Sequence, residues 1–215
     1  MESKIILFQG DSITDADRSR TNDLNLGCGY PNLVAGVLGA ANPYQYQFLN
    51  RGIGGHRVVD LYARIKADMI NLKPSYMSIL IGINDVWHEI GGHNGVDAEK
   101  FEMVYDWMIQ ELLRDVPGLK LMLLEPFVLP GRATCNTEEI PNRWEYFRTE
   151  TDLRRAAVKR LAEKHGLVFV PLQEKFNAAN ADAPADGYWL ADGVHPTAAG
   201  HELIKQAWLE GFAKL

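Results

Sequence analysis

Gly10-Asp11-Ser12 near one end of the chain and Asp192-Gly193-Val194-His195 near the other together contain a nucleophile, a base and a carboxylate. A serine hydroxyl is a weak nucleophile at neutral pH and needs a neighbouring imidazole to take its proton. The imidazole in turn needs a carboxylate to fix its tautomer and to stabilise the imidazolium formed during attack. An Asp and a His three residues apart face the same side of one turn. Asp192 and His195 could therefore be presented together to Ser12, 180 residues upstream of Asp192. Acyl transfer also needs donors aimed at the oxyanion of the tetrahedral intermediate. The candidates are the Ser12 N–H, the Asn84 carboxamide and the N–H of Gly54, where a missing Cβ lets the main chain come close.

The elements that must position these groups can be read from the apolar pattern. Five short, near-continuously apolar runs predict strands at Lys4–Phe8, Tyr46–Asn50, Tyr76–Ile81, Lys120–Leu124 and Val168–Pro171. Continuous rather than alternating apolarity is the mark of strands covered on both faces. Helical spacing predicts helices over Pro31–Leu38, Val58–Leu72, Asp97–Leu113, Thr151–His165 and Thr197–Ala213. Asp97 and Thr197 suit caps, and Gly166 suits a helix end. Phe101, Val104, Met108 and Leu112 form one apolar stripe, and Leu153, Ala157 and Leu161 form another. The βαβα alternation predicts an α/β fold: a three-layer αβα sandwich around a five-stranded parallel sheet, flavodoxin-like in plan. With no linker visible, residues 1–215 read as one domain. Ligands in such sheets sit beyond the carboxyl ends of the strands. Gly10-Asp11-Ser12, Gly52-Ile53-Gly54-Gly55 and Gly82-Ile83-Asn84-Asp85 follow the first three strands, and Asp192–His195 follows the fifth. Four segments thus converge on one rim.

Those four segments resemble the blocks of the SGNH (GDSL-type) hydrolase superfamily, over nearly the whole chain from Ile5 to Leu209. The resemblance implies Ser12 as nucleophile, His195 as base, Asp192 as its orienter, and Ser12, Gly54 and Asn84 as the oxyanion hole. Ile13 stands where many members carry leucine, which changes no chemistry. The stretches Gly10–Asp15, Ile81–Trp87 and Val194-His195-Pro196 with Ala199-Gly200-His201 are similar to intracellular bacterial carbohydrate acetyl esterases of the acetylxylan-esterase type. The resemblance implies a two-step removal of O-acetyl groups from acetylated xylo-oligosaccharides or similar sugars, through an acyl-serine, with no cofactor. Asp11, Trp87 and Trp189 are candidate substrate-binding residues, the tryptophans because aromatic faces suit the apolar faces of sugar rings. The same aromatics could equally be packing residues.

Composition narrows the alternatives. Hydrophobic residues are 47% and charged residues 23% of 215, as in ordinary globular domains, and the net charge of −6 offers no stripe for nucleic acid. The N-terminal apolar run Ile5–Phe8 is too short for a signal peptide, and no run is long enough for a membrane span. Cys28 and Cys135 read as reduced thiols, so a cytoplasmic setting is the expectation. His88, Glu89 and His93 do not match the zinc-protease spacing, and Gly91-Gly92 is expected to break any helix there, so no metal is expected. Asp85 is read as a helix N-cap. The long connections Asp15–Gly29 and Glu125–Glu150 read as loops that act as lids, binding walls or contacts in a homo-oligomer. The partner expected is a small-molecule or oligosaccharide ester, with no nucleic acid and no membrane. One competing reading is a lipid or thioester acyl hydrolase with the same triad. The polar loop residues Arg18, Arg20, Asn22, Asp23, Asn25, Arg132, Asn136, Asn142 and Arg143 argue against an acyl channel. Another is a flavodoxin-like binding module without catalysis.

Overall fold

The computed structural model describes residues 3–183 and 186–215; Met1 and Glu2, at the front of the segment weighed as a leader, lie outside them. Five strands, β1 (Lys4–Gly10), β2 (Tyr46–Asn50), β3 (Tyr76–Leu80), β4 (Lys120–Leu124) and β5 (Val168–Val170), form one sheet. Their order is β2-β1-β3-β4-β5 and every pairing is parallel. The chain winds outward from β1 in both directions, so the carboxyl ends of β1 and β3 flank the point where strand order reverses.

Alternate residues of each strand feed two separate cores. Leu7, Met77, Ile79, Leu121 and Leu123 point to one face. There they meet α3 (Val58–Ala63), α6 (Ala98–Asp115) and α7 (Arg143–His165). Ile6, Phe8, Met122 and Leu124 point to the other, against α2 (Tyr30–Ala41) and α9 (Ala198–Phe212). A three-layer α/β fold results, as the apolar runs imply.

The helices follow their sequence signals where the buried stripe is apolar. In α6 the Asp97 carboxylate accepts the Lys100 N–H at 2.9 Å, and Phe101, Val104, Met108 and Leu112 are all buried. Thr197 caps α9 through the Gly200 N–H. α7 ends at Gly166, whose φ of +63° favours glycine.

Four local expectations are corrected. The helix read over Val58–Leu72 breaks into α3, α4 (Ile65–Asp68) and a 3-10 turn at Ile70–Leu72. Arg64 lies at the first break, and its guanidinium reaches Arg51 O and Gln9 Oε1 at 2.8 Å each, bracing the ends of β1 and β2. α7 starts at Arg143 rather than Thr151, its first two turns giving only Phe147 to the core; within the predicted part Thr151 and Arg154 are buried while Leu153 faces outward. α5 (Ile83–Gly92) runs through Gly91 and Gly92 and ends at His93, and α8 (Gln173–Asp182) had no clear sequence signal. Asp85 does not cap α5: its buried carboxylate accepts the Val58 N–H that opens α3.

No helix among the described residues is long and apolar enough to cross a membrane.

Candidate active site

β1 ends at Gly10, and Ser12 opens the single-turn helix α1 (Ser12–Asp15) immediately beyond it. Asp11 caps that turn by accepting the Ile13 N–H at 3.0 Å. Only 1% of Asp11 is exposed, so it lies beneath the nucleophile and cannot touch substrate, contrary to the expectation for it. Burial pushes its carboxyl up to about 7, against the pull of the Ile13 N–H and of His195.

Across the rim, Leu190 and Pro196 pair as an isolated bridge and close a hairpin around residues 191–195. His195 Nε2 lies 2.9 Å from Ser12 Oγ, and its Nδ1 lies 2.8 Å from Asp192 Oδ2. The other carboxylate oxygen of Asp192 accepts the N–H groups of Val194 at 2.9 Å and His195 at 2.8 Å. Burial disfavours the ionised Asp192, but these hydrogen bonds outweigh it and hold the carboxyl at about 2. The same carboxylate lifts His195 above the ordinary histidine value, against burial. A charged orienter, a basic imidazole and a hydroxyl within proton-transfer reach are thereby assembled from residues 12, 192 and 195.

The hairpin is held by a segment that the sequence marked only as loop. Leu129 N–H donates to Gly193 O and Ala133 N–H to Asp192 O, both at 2.9 Å. Gly193 sits at φ +98°, and a Cβ there would stand 2.6 Å from Leu129 O. Residues 129–134 are therefore a buttress for the Asp192–His195 turn. Nothing local in the sequence signals this, because the partners are some 60 positions apart.

Gly54 lines the cavity at Ser12 and Asn84 lies buried in the first turn of α5, and each has a hydrogen-bond partner within the protein. Gly54 N–H points to Asp15 Oδ2 at 3.0 Å, and Asn84 Nδ2 donates to His56 O at 3.1 Å. The tight approach anticipated at Gly54 occurs at Gly52, where a Cβ would stand 2.3 Å from Asp15 N; at Gly54 it would stand 3.7 Å from Ser12 Cβ. Arg18 and Arg20, read as polar loop residues that argue against an acyl channel, are spent on the scaffold. Both donate to Gly52 O, at 2.8 and 2.9 Å, and Arg20 also pairs with Asp15 at 2.5 Å. Asp23 is likewise paired, with Arg51.

Trp87 stands beside the base, its ring centroid 5.8 Å from that of His195. Trp189 lines a neighbouring cavity with Leu129, Pro130 and Leu190, not the one that opens on Ser12. The cavity at Ser12 has a volume of about 370 Å³, the small end of the ligand-site range. Ser12, Gly54, Ala16, Cys28, His195 and His201 are among its walls. Among the described residues no cluster of three or more His, Cys, Asp or Glu is arranged to hold a metal ion. His93 is an exposed helix-end residue 3.6 Å from Glu89.

Residues 8–203 match the GDSL-like lipase/acylhydrolase family. An acetylxylan esterase from Geobacillus stearothermophilus is 35% identical over 214 residues, 95% of this chain and 91% of that protein. A crystal structure of that organism's acetylxylan esterase superimposes with a TM-score of 0.82 at 33% identity, covering 98% of this chain and 96% of the other. An α/β hydrolase from the metagenome of Lake Arreo aligns with a TM-score of 0.84 at 29% identity, covering 99% and 97%.

Proposed function

From the premise that the chain belongs to the GDSL-like lipase/acylhydrolase family and is a carboxylic ester hydrolase, we propose that it removes O-acetyl groups from carbohydrates by way of an acyl-serine. The carrying observation is the continuous relay from Asp192 through His195 to Ser12, with both hydrogen bonds under 3.0 Å. His195 takes the Ser12 proton as Oγ attacks the acetyl carbonyl, then returns it to the departing sugar oxygen. Water deprotonated by the same imidazole releases acetate in the second half. Asp192 stays ionised throughout and holds the proton of His195 on Nδ1.

For the developing oxyanion we assign two donors that keep a hydrogen not given to another group. Ser12 N–H, at the first position of α1, has no intrahelical acceptor. Asn84 Nδ2 carries a second hydrogen beyond the one given to His56 O. Gly54 N–H joins them only by sharing its proton with Asp15 or as that carboxylate moves off. Asn84→Ala is therefore expected to lower kcat ~100- to 1,000-fold on any acetate ester, with little change in KM. Wild-type kcat in this variant would remove Asn84 from the oxyanion site.

The small cavity and the relatives' acetylxylan esterase activity support acetyl over long acyl groups. A series of p-nitrophenyl esters from acetate to decanoate tests this, with kcat/KM expected to fall steadily beyond acetate. A rise toward the long chains would favour the lipid-hydrolase reading instead. Mass-spectrometric screening of acetylated xylo-oligosaccharides and other sugar acetates would then identify the preferred alcohol. We place no cofactor, metal, membrane or nucleic acid in this reading, and a cytoplasmic setting is part of it.

A further inference from the structure

His201 lies on the first turn of α9, six residues beyond His195, and is 94% buried. Its Nδ1 accepts the N–H of Tyr30, the residue that opens α2, at 3.1 Å. That bond places the ring proton on Nε2. The start of α2 is packed against this edge so closely that a Cβ on Gly29 would stand 2.9 Å from Cε1 and 3.3 Å from Nδ1. Burial, and then the nearby His195, lower the ring's pKa to about 4, so it is neutral wherever His195 can act as a base. Nε2–H has no hydrogen-bond partner among the described residues, yet it is not sealed off, and the residue lines the cavity that holds Ser12 Oγ and His195. A mostly buried neutral donor without a partner among the described residues thus belongs to a residue that lines the cavity at Ser12.

We infer that His201 determines alcohol specificity, its Nε2–H donating to an oxygen of the ester's alcohol portion and so favouring hydroxyl-rich alcohols over hydrocarbon ones. This rests on the reading of the chain as a carbohydrate esterase and adds the residue that recognises the sugar side. The alternatives within the substrate are few. The acetyl methyl group accepts nothing, and the carbonyl oxygen belongs to the donors around Ser12. Asp17 lines the same cavity and can accept a hydroxyl proton, so one sugar hydroxyl could accept from His201 while donating to Asp17. A buried donor is satisfied by such an oxygen and left unpaired by a hydrocarbon ring.

The test is the ratio of kcat/KM for a methyl xyloside monoacetate to that for cyclohexyl acetate, in the wild type, His201→Asn and His201→Gln. Asparagine places an oxygen near the old Nδ1, keeping an acceptor for Tyr30 N–H, but does not reach the cavity. Glutamine reaches the cavity with an amide N–H and gives up the acceptor. The ratio is expected to fall about five- to tenfold in His201→Asn, mainly through KM of the xyloside, and to recover by at least half in His201→Gln. A purely structural role predicts the opposite order, with asparagine tolerated and glutamine damaging. That order, or an unchanged ratio in His201→Asn, overturns the inference. A wild-type ratio near one would instead sink the carbohydrate reading beneath it.

Discussion

Ser12→Ala is expected to reduce kcat on p-nitrophenyl acetate by at least ~10⁴-fold, equivalent to about 5.5 kcal/mol of transition-state stabilisation. The size follows from what the hydroxyl supplies. Without Oγ no covalent acyl intermediate forms, and the remaining route is attack by water, aided only by binding and the oxyanion donors. The variant should fold normally. Ser12 Oγ makes a single hydrogen bond, to His195 Nε2, and the His195 side chain is 42% exposed, so the freed nitrogen is solvated rather than orphaned. KM is expected to change little, because the substitution keeps the Cβ that forms this part of the cavity wall. An organophosphonate should label the wild type stoichiometrically and leave Ser12→Ala unlabelled. A variant keeping more than a few per cent of wild-type kcat, with the same melting temperature, would show that another group carries the acyl transfer. Absence of labelling in the wild type would favour a binding module built on the same sheet.

The candidate residues were legible in the sequence because each is a chemically distinctive type; Ser12 and Asn84 come just after strands, where a parallel sheet collects such positions at one rim, and Asp192 and His195 stand three apart in one short turn beyond α8. Ser12 after β1 and Asn84 after β3 flank the reversal of strand order, the place where this topology opens a crevice. The strands were legible for a related reason: residues such as Ile6, Leu7 and Phe8 serve two cores at once and must all be apolar. Legibility failed where a buried position is polar or where support comes from far along the chain. The front of α7 was hidden because residues 143–150 offer only Phe147 to the core; further along, Arg154 occupies the buried stripe, bonding Glu150 and the Val96 carbonyl instead of packing as an aliphatic. α8 offers only Gln173 and Phe176 to the core, too little to make a pattern. The bond from Gly54 N–H to Asp15 spans 39 positions, and Arg20 reaches 32 positions to Gly52 O. Such contacts depend on how loops meet after the sheet has formed, and composition carries no trace of them. The polarity of residues 18–25 was visible, but not its use: it braces the Gly52–Gly54 turn instead of lining a binding surface.

Asp192→Asn is expected to cost ~10³- to 10⁴-fold in kcat with KM nearly unchanged, more than removal of one charge near an imidazole would suggest. The reason lies in the two backbone donors on Asp192 Oδ1. Val194 N–H and His195 N–H both point at that oxygen, so an asparagine must turn its carbonyl there and its amide nitrogen away from them. The nitrogen then takes the place of Oδ2, 2.8 Å from His195 Nδ1. Facing a donor, Nδ1 must become the acceptor, and the ring proton moves to Nε2. That nitrogen now donates to Ser12 Oγ where it formerly accepted from it, and the hydroxyl has no base. An alanine at 192 imposes no tautomer, so Asp192→Asn should be no faster than Asp192→Ala despite its closer shape. The pH profile supplies a second readout. In the wild type Asp192 raises the His195 pKa above its ordinary 6.5, so His195 stays protonated to a higher pH and the acid limb of kcat/KM should fall above 6.5. Without the carboxylate that lift is gone, and the limb should move to lower pH in both variants. An asparagine variant within tenfold of wild type, with its acid limb unmoved, would mean that Asp192 merely shapes the hairpin and that the imidazole is oriented by something else.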